Sequence, residues 1–212
     1  MLTKTKGIVL NYIKYKESSI IVRIFTKELG VQSYIVNSVR TKGKTNKISF
    51  YQPLSILELV VYSNSKTDLH RISEAQFAIR YNSIPFEIKK SAITLFLAEV
   101  VSKMMMEQEE NKSLFDFLEA ALTQLDDVKQ DYSEFHIFIL INLLDYLGHS
   151  IPFDLTNELE RLLSEIKTKT FIKDLNRKSR NEILDFVLNF YRQHSELNLN
   201  LKSLPVLESV FD

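Results

Sequence analysis

The spacing of hydrophobic positions changes near Pro85. Before this residue, short runs rich in Ile, Val and Tyr alternate with polar residues at a period of about two, which is typical of β-strands. These runs predict strands over residues 6–15, 18–26, 31–39 and 54–62, with a fifth around 69–77. Lys27-Glu28-Leu29-Gly30 predicts a tight hairpin with Gly30 at positive φ. Five short strands joined by turns predict a small closed or partly open barrel.

After Pro85 the apolar positions recur at the spacing of an α-helix. The pattern predicts a first helix over residues 88–106, a fourth over 155–166 and a short last one from about Ser203. Polar pairs that are typical of helix N-termini predict where the second, third and fifth helices begin. These pairs are Ser113 with Asp116, Asp131 with Glu134, and Ser179 with Glu182. The sequence therefore predicts an α+β chain, with a barrel in residues 1–82 and an all-α domain in residues 83–212.

The formal net charge of zero hides two segments of opposite sign. Residues 1–82 hold thirteen Lys and Arg against five Asp and Glu, whereas residues 83–212 hold fourteen against twenty-two. A basic barrel joined to an acidic helical part favours a polyanion as one ligand and a second partner elsewhere.

The sequence lacks the residues that several classes of function require. The chain has no cysteine, which removes thiol catalysis and cysteine zinc sites and fits a reducing cytoplasm, the predicted localisation. Its four glycines are too far apart for a nucleotide-binding glycine loop, and its four histidines have no metal-ligand spacing. No apolar run is long enough to cross a bilayer. We therefore predict no enzyme activity, no cofactor, no metal and no membrane association.

The sharpest candidate site is a lysine-rich loop between the third and fourth predicted strands. Cationic side chains on a barrel surface suit a phosphate backbone, and nearby tyrosines could stack on unpaired bases, although core packing is the better expectation for any single tyrosine. The alternative is a solvated loop with tyrosines in the core. The predicted DNA-binding residues are Lys14, Lys16, Arg23, Arg40, Lys42, Lys44 and Lys47, and the tyrosines are Tyr12, Tyr15, Tyr34 and Tyr51.

A second basic stretch, residues 167–180, interrupts the acidic half. It could dock an acidic peptide, with Phe171 and Ile172 as apolar contacts, or extend the path of a nucleic acid. The alternative is a solvated connection before the fifth helix. The predicted partner-binding residues are Lys169, Lys173, Arg177 and Arg180.

Ordered short motifs along nearly the whole chain resemble the bacterial RecO DNA repair family. In the N-terminal part they are Gly7-Ile8-Val9-Leu10, Tyr15, Glu17, Phe25-Thr26, Gly30, Arg40 and Gln52-Pro53-Leu54. In the C-terminal part they are Leu143-Leu144, Leu147-Gly148, Leu201-Lys202-Ser203-Leu204 and Val206-Leu207. The resemblance implies an N-terminal OB-fold barrel followed by a helical domain.

The resemblance also implies a function. RecO-like proteins bind single- and double-stranded DNA, anneal complementary strands, contact the C-terminal tail of the single-stranded DNA-binding protein, and help load RecA at gaps together with RecR. Arg40 matches the family's basic position after the third strand. Many relatives carry a four-cysteine zinc module after the Leu-Gly turn, but here Gly148 is followed by His149-Ser150-Ile151-Pro152, so no zinc module is expected. The family's usual Lys-Gly before the arginine is Asn37-Ser38 here.

Two other functions stay open at this point. An RNA-binding OB-fold protein would prefer RNA over DNA in competition, because it would recognise the 2′-hydroxyl. A non-catalytic protein-interaction scaffold, in which the basic and acidic halves neutralise each other, would show no salt-sensitive DNA binding.

Overall fold

A computed structural model of the chain describes residues 2–39, 47–62, 68–105, 110–130, 132–151, 158–169, 172, 175–194 and 200–211. Its strands are β1 (Leu2–Tyr15), β2 (Ser19–Thr26), β3 (Gly30–Val36), β4 (Ile56–Tyr62) and β5 (Leu69–Phe77), with a 3₁₀ helix at Lys47–Tyr51. Its helices are α1 (Ile88–Met104), α2 (Lys112–Asp127), α3 (Phe135–Tyr146), α4 (Glu158–Thr168), α5 (Arg177–His194) and α6 (Leu204–Phe211). None of these described helices could cross a membrane.

The strands form a closed barrel in the order β1-β2-β3-β5-β4. All neighbours are antiparallel except β3 and β5, which are parallel. The predicted barrel is therefore confirmed, and a five-stranded closed barrel followed by helices agrees with an OB-fold. Gly30 has φ 64°, as the hairpin prediction requires.

The barrel closes where β1 changes partners. Gly7 pairs with Thr26 of β2 on one side and with Leu57 of β4 on the other. A Cβ atom at Gly7 would lie 2.6 Å from Ile24 Cγ2 and 2.8 Å from Leu59 Cδ1, both in the buried core. Because these distances are shorter than van der Waals contact, the barrel core leaves no room for a side chain at this position.

The chain forms two compact units. The first contains residues 1–81 and 98–123, and the second contains residues 82–97 and 124–212. In the first unit, Phe25 on the outside of β2 packs against Phe115 of α2 with ring centroids 5.5 Å apart. The domain boundary between residues 82 and 83 stays a prediction.

The second unit is organised around α3, which is buried nearly all round and packs against α4 and α5. Tyr191 of α5 donates its hydroxyl to Leu140 O at 2.5 Å. In the same unit Asp126 accepts the backbone N–H groups of Asn82, Ser83 and Ile84 at 2.7–2.9 Å. These bonds hold the chain before α1 in place, because they satisfy N–H groups in a tight turn.

A buried lysine completes this arrangement. Lys90 is fully buried, and its Nζ donates to Ser83 Oγ at 2.6 Å and to Asp126 O at 3.1 Å. It also donates to Val128 O, just beyond α2. A cation that satisfies carbonyls at a helix C-terminus interacts favourably with the helix dipole.

Asparagines, not the predicted serine–acid pairs, cap two helices. Asn111 Oδ1 accepts the N–H of Leu114 at 2.9 Å, and Asn176 Oδ1 accepts the N–H of Ser179 at 2.9 Å. The predicted starts at Ser113 and Ser179 are therefore wrong by two and three residues, respectively. In each case an asparagine that precedes the serine in the sequence accepts a free N–H group of the first helical turn. For α3, Glu134 is the N-cap residue without a side-chain cap, and Asp131 lies outside the described residues.

We predict that Gly7→Val destabilises the protein by about 2–3 kcal/mol, because a side chain would overpack the barrel core. Urea denaturation followed by circular dichroism measures this loss. Lys4→Ala, an exposed change on the same strand, should alter the free energy of unfolding by less than about 0.5 kcal/mol. Equal free energies of unfolding for the two variants would show that the barrel core tolerates a side chain at the position of Gly7.

Candidate nucleic-acid interface

The turn between β1 and β2 brings several predicted cationic residues together. Lys14 and Lys16 are exposed there, and Lys16 Nζ lies 5.3 Å from the centre of the Tyr15 ring. The backbone N–H of Val39 donates to Ser18 O in this turn at 3.0 Å. Val39, the last described residue before the lysine-rich loop, therefore lies beside this turn, and we call residues 14–18 the basic turn.

The lysine-rich segment is anchored at both ends. Val39 is 3% exposed and belongs to the barrel core, and Tyr51, at the end of the 3₁₀ helix, is 4% exposed in the same core. Lys47, the first residue of that helix, is exposed. The other predicted residues of the segment, Arg40, Lys42 and Lys44, lie outside the described residues. Val39 and Lys47 are the described residues that flank them in the sequence.

A row of isoleucines crosses three strands on the outside of the barrel. Ile13 of β1 pairs with Ile21 of β2, which pairs with Ile35 of β3. Arg71 of β5 pairs with Ile35 and is exposed. Ile13 is 61% exposed, an unusual value for an isoleucine on a strand. This isoleucine row, with Arg71 at one side, is an apolar surface next to the basic turn.

Sequence reasoning missed Ile13 and Arg71. A β-bulge between Val9 and Asn11 reverses the in–out alternation of β1, so that Tyr12 turns towards the core and Ile13 outwards. Strict alternation from Val9 would have placed Ile13 inside. The signal available in the sequence was the polar Asn11, which falls on a position that alternation assigns to the core.

Arg23 has a structural partner. It lies on the outside of β2 and is half-buried, and its guanidinium donates to Ser102 O at 3.0 Å and to Met105 O at the end of α1. Burial lowers the pKa of this guanidinium. Carbonyls at a helix C-terminus attract a cation, so Arg23 fastens α1 to the barrel. A DNA contact by Arg23 stays a prediction.

Two of the four tyrosines cannot stack on bases. Tyr34 is 1% exposed and Tyr51 4%, and both lie in the barrel core. Burial raises the pKa of Tyr51 to about 12 and that of Tyr34 further still. Core packing, the expectation for any single tyrosine, is confirmed for this pair. Tyr12 packs partly against the same core, and Tyr15 remains half-exposed in the basic turn.

Two other lysines of the barrel are paired with acids. Lys6 Nζ lies 2.6 Å from Glu119 Oε1, and Lys27 Nζ lies 2.6 Å from Asp116 Oδ1. Both lysines line a cleft of about 590 Å³ that also contains Glu28, among other acids. The hydrogen bond to Asp116 raises the pKa of Lys27. Mixed charge makes this cleft a poor surface for a polyanion, so the basic turn is the better candidate.

The second basic stretch divides between two environments in the helical unit. Lys169 is exposed and pairs with Glu165 at 2.9 Å. Arg177 and Arg180 both begin α5 and line one small pocket. Arg180 Nη1 lies 3.5 Å from Oε1 of buried Glu134, and burial raises the pKa of this carboxyl although Arg180 opposes the shift. Lys173 and Phe171 lie outside the described residues, and Ile172 is buried.

Among the described residues, no group of three or more His, Cys, Asp or Glu side chains could hold a metal ion.

Comparison with known proteins gives one consistent result. Residues 1–80 match the family model "Recombination protein O N terminal", and residues 85–158 match "Recombination protein O C terminal". The chain is 34% identical over 239 residues to DNA repair protein RecO of Flavobacterium psychrophilum, with 100% of both chains covered. It is 34% identical over 242 residues to the protein of that name from Bacteroides fragilis and 31% over 240 residues to that from Phocaeicola vulgatus, again with 100% of both chains covered.

We predict that Arg23→Leu lowers the free energy of unfolding by about 1–3 kcal/mol, because two carbonyls at the end of α1 lose a charged donor. Urea denaturation measures the loss. Arg71→Leu removes the same charge from an exposed position and should change stability by less than about 0.5 kcal/mol. A stability loss at Arg71 as large as that at Arg23 would contradict the structural role of Arg23.

Proposed function

The chain belongs to the RecO family of DNA repair proteins, and from this premise we propose that it is a non-catalytic recombination mediator that binds and anneals single-stranded DNA. The observation that carries this proposal is the Val39–Ser18 hydrogen bond, which places Val39, the residue before the lysine-rich loop, beside the turn that holds Lys14 and Lys16. It supports one cationic surface assembled from parts distant in the sequence.

The basic turn would bind the phosphate backbone. Each cation that neutralises a phosphate releases a condensed counterion, which drives binding at low salt. The isoleucine row would accept the faces of unpaired bases, as apolar side chains do in sequence-tolerant binding of single strands. Because the phosphates are held from one side, the base edges stay free to pair with a second strand.

Annealing needs no chemical step. Two complementary strands repel each other through their phosphates, and a dense cationic surface screens this repulsion. Within this proposal the same surface binds double-stranded DNA after pairing. A mediator that only brings strands together requires no nucleotide, metal or nucleophile.

The helical unit would dock protein partners. We assign to it the acidic C-terminal tail of the single-stranded DNA-binding protein and RecR, with which the chain would help load the recombinase at gaps. Arg177 and Arg180, at the start of α5, support docking of an acidic tail because they flank one pocket with apolar walls at Leu184 and Leu207.

Neutralising Arg40, Lys42, Lys44 and Lys47 together to Gln should weaken binding of a dT oligonucleotide and flatten its salt dependence. If these four residues contact about four phosphates, the slope of log K against log salt should fall in magnitude by about 3. Fluorescence anisotropy at several salt concentrations measures the slope.

The matched control neutralises Lys4, Lys6 and Lys27, which line the mixed-charge cleft on the same barrel. Because Lys6 and Lys27 are paired with acids, this variant should change the slope by less than about 1. A slope that falls in the control but not in the loop variant would move the binding surface to the cleft.

Ile13→Ala tests the isoleucine row separately from charge. Losing an apolar contact should weaken binding of the dT oligonucleotide by a few-fold, about 1 kcal/mol, without altering the salt slope, because no phosphate contact is lost. Thr3→Ala, another substitution on β1 away from the row, serves as the control. Unchanged affinity in Ile13→Ala would exclude the row from the binding path.

A further inference from the structure

The last described helix, α6, inserts an aromatic ring among cationic side chains of the helical unit. The ring of Phe211 lies 5.3 Å from Lys89 Nζ of α1 and 5.8 Å from Arg180 Cζ of α5. Its centroid lies 6.1 Å from that of the His136 ring of α3. Cations within about 6 Å of a ring face attract the ring electrostatically. Three helices thus surround a single aromatic side chain.

The surface around this ring is cationic. Arg177 and Arg180 line the same pocket as Phe211, and Lys89 is exposed beside it, while Arg180 also pairs with buried Glu134. His136 adds no charge at neutral pH, because burial lowers its pKa to about 3. The acid that α6 itself contributes to the pocket is Glu208, one helical turn before Phe211. The helix therefore presents an acid and an aromatic ring to a cationic pocket.

The helix α6 is held by few contacts. It has eight residues, about two turns, which is too short to be stable alone in water. Leu207 is its buried side chain at 2% exposed, whereas Val206 is 44% exposed. Elements with little buried apolar surface open at low free-energy cost. Such a helix can be displaced by a ligand that reproduces its contacts.

We propose that α6 is a built-in competitor that occupies a docking surface for acidic peptides carrying an aromatic residue. Phe211 fills the aromatic position, and Lys89, Arg177 and Arg180 form its cationic rim. A partner peptide binds once α6 has moved away, so its apparent affinity is reduced by the fraction of molecules in which the surface is open. This inference rests on the proposed docking of an acidic tail and adds its regulation.

The test is binding of a fluorescein-labelled synthetic peptide with four aspartates and a terminal phenylalanine. Phe211→Ala should bind this peptide about tenfold more tightly than the native chain, because the competing ring is gone. Val206→Ala, on the exposed side of α6, should bind like the native chain. Thermal melting of each variant verifies that the fold is kept. Equal affinity of the native chain and Phe211→Ala would overturn the competitor role.

A second pair of changes locates the peptide. In the Phe211→Ala background, Arg177→Gln should weaken binding several-fold, whereas Lys178→Gln removes an exposed charge outside the pocket and should not. The same peptide with serine in place of phenylalanine should bind more weakly to Phe211→Ala. An equal loss from Arg177→Gln and Lys178→Gln would contradict docking in this pocket.

The outcomes also separate this inference from the proposed function. If the peptide binds the native chain and Phe211→Ala equally, docking of an acidic tail stands and the competitor role fails. If the peptide binds neither, docking fails together with the competitor role. Salt-dependent binding of the dT oligonucleotide by the barrel is measured in parallel, and its loss in the native chain would overturn the proposed DNA function alone.

Discussion

At Gly7 the first strand is paired on both sides, and no side chain fits between its neighbours. Because Gly7 has no side chain, the five short strands can close into a barrel instead of ending in an open edge. Closure fixes which residues point outwards along every strand. The surface assigned to DNA is therefore a consequence of backbone packing at one position of β1.

The distribution of charge on the barrel follows from what covers each face. Where helix residues pack on β1 and β2, cations are used for structure: Arg23 satisfies carbonyls at the end of α1, and Lys6 and Lys27 pair with acids of α2. The basic turn instead presents Lys14 and Lys16 to solvent. A count of positive residues cannot distinguish these uses, because it ignores partners distant in the sequence.

The sequence predicted the barrel and the helices because hydrophobic period and turn residues are local properties. It failed where the outcome depended on another segment. The bulge after Val9 exposes Ile13, and asparagines displaced the predicted helix caps. Burial of Lys90 against Asp126 also lay beyond reach, because the two residues lie 36 positions apart on different helices. The family resemblance added the type of barrel, an OB-fold, but it predicted none of these contacts.

We infer that the barrel brings complementary strands together by screening their phosphates. The most direct test is the rate at which two complementary labelled oligonucleotides pair, followed by energy transfer, with and without the full chain. Screening of the phosphates should give a large acceleration at low salt that fades as salt increases, with no nucleotide or metal added. An annealing rate that the chain leaves unchanged at low salt would show that the barrel does not bring the strands together.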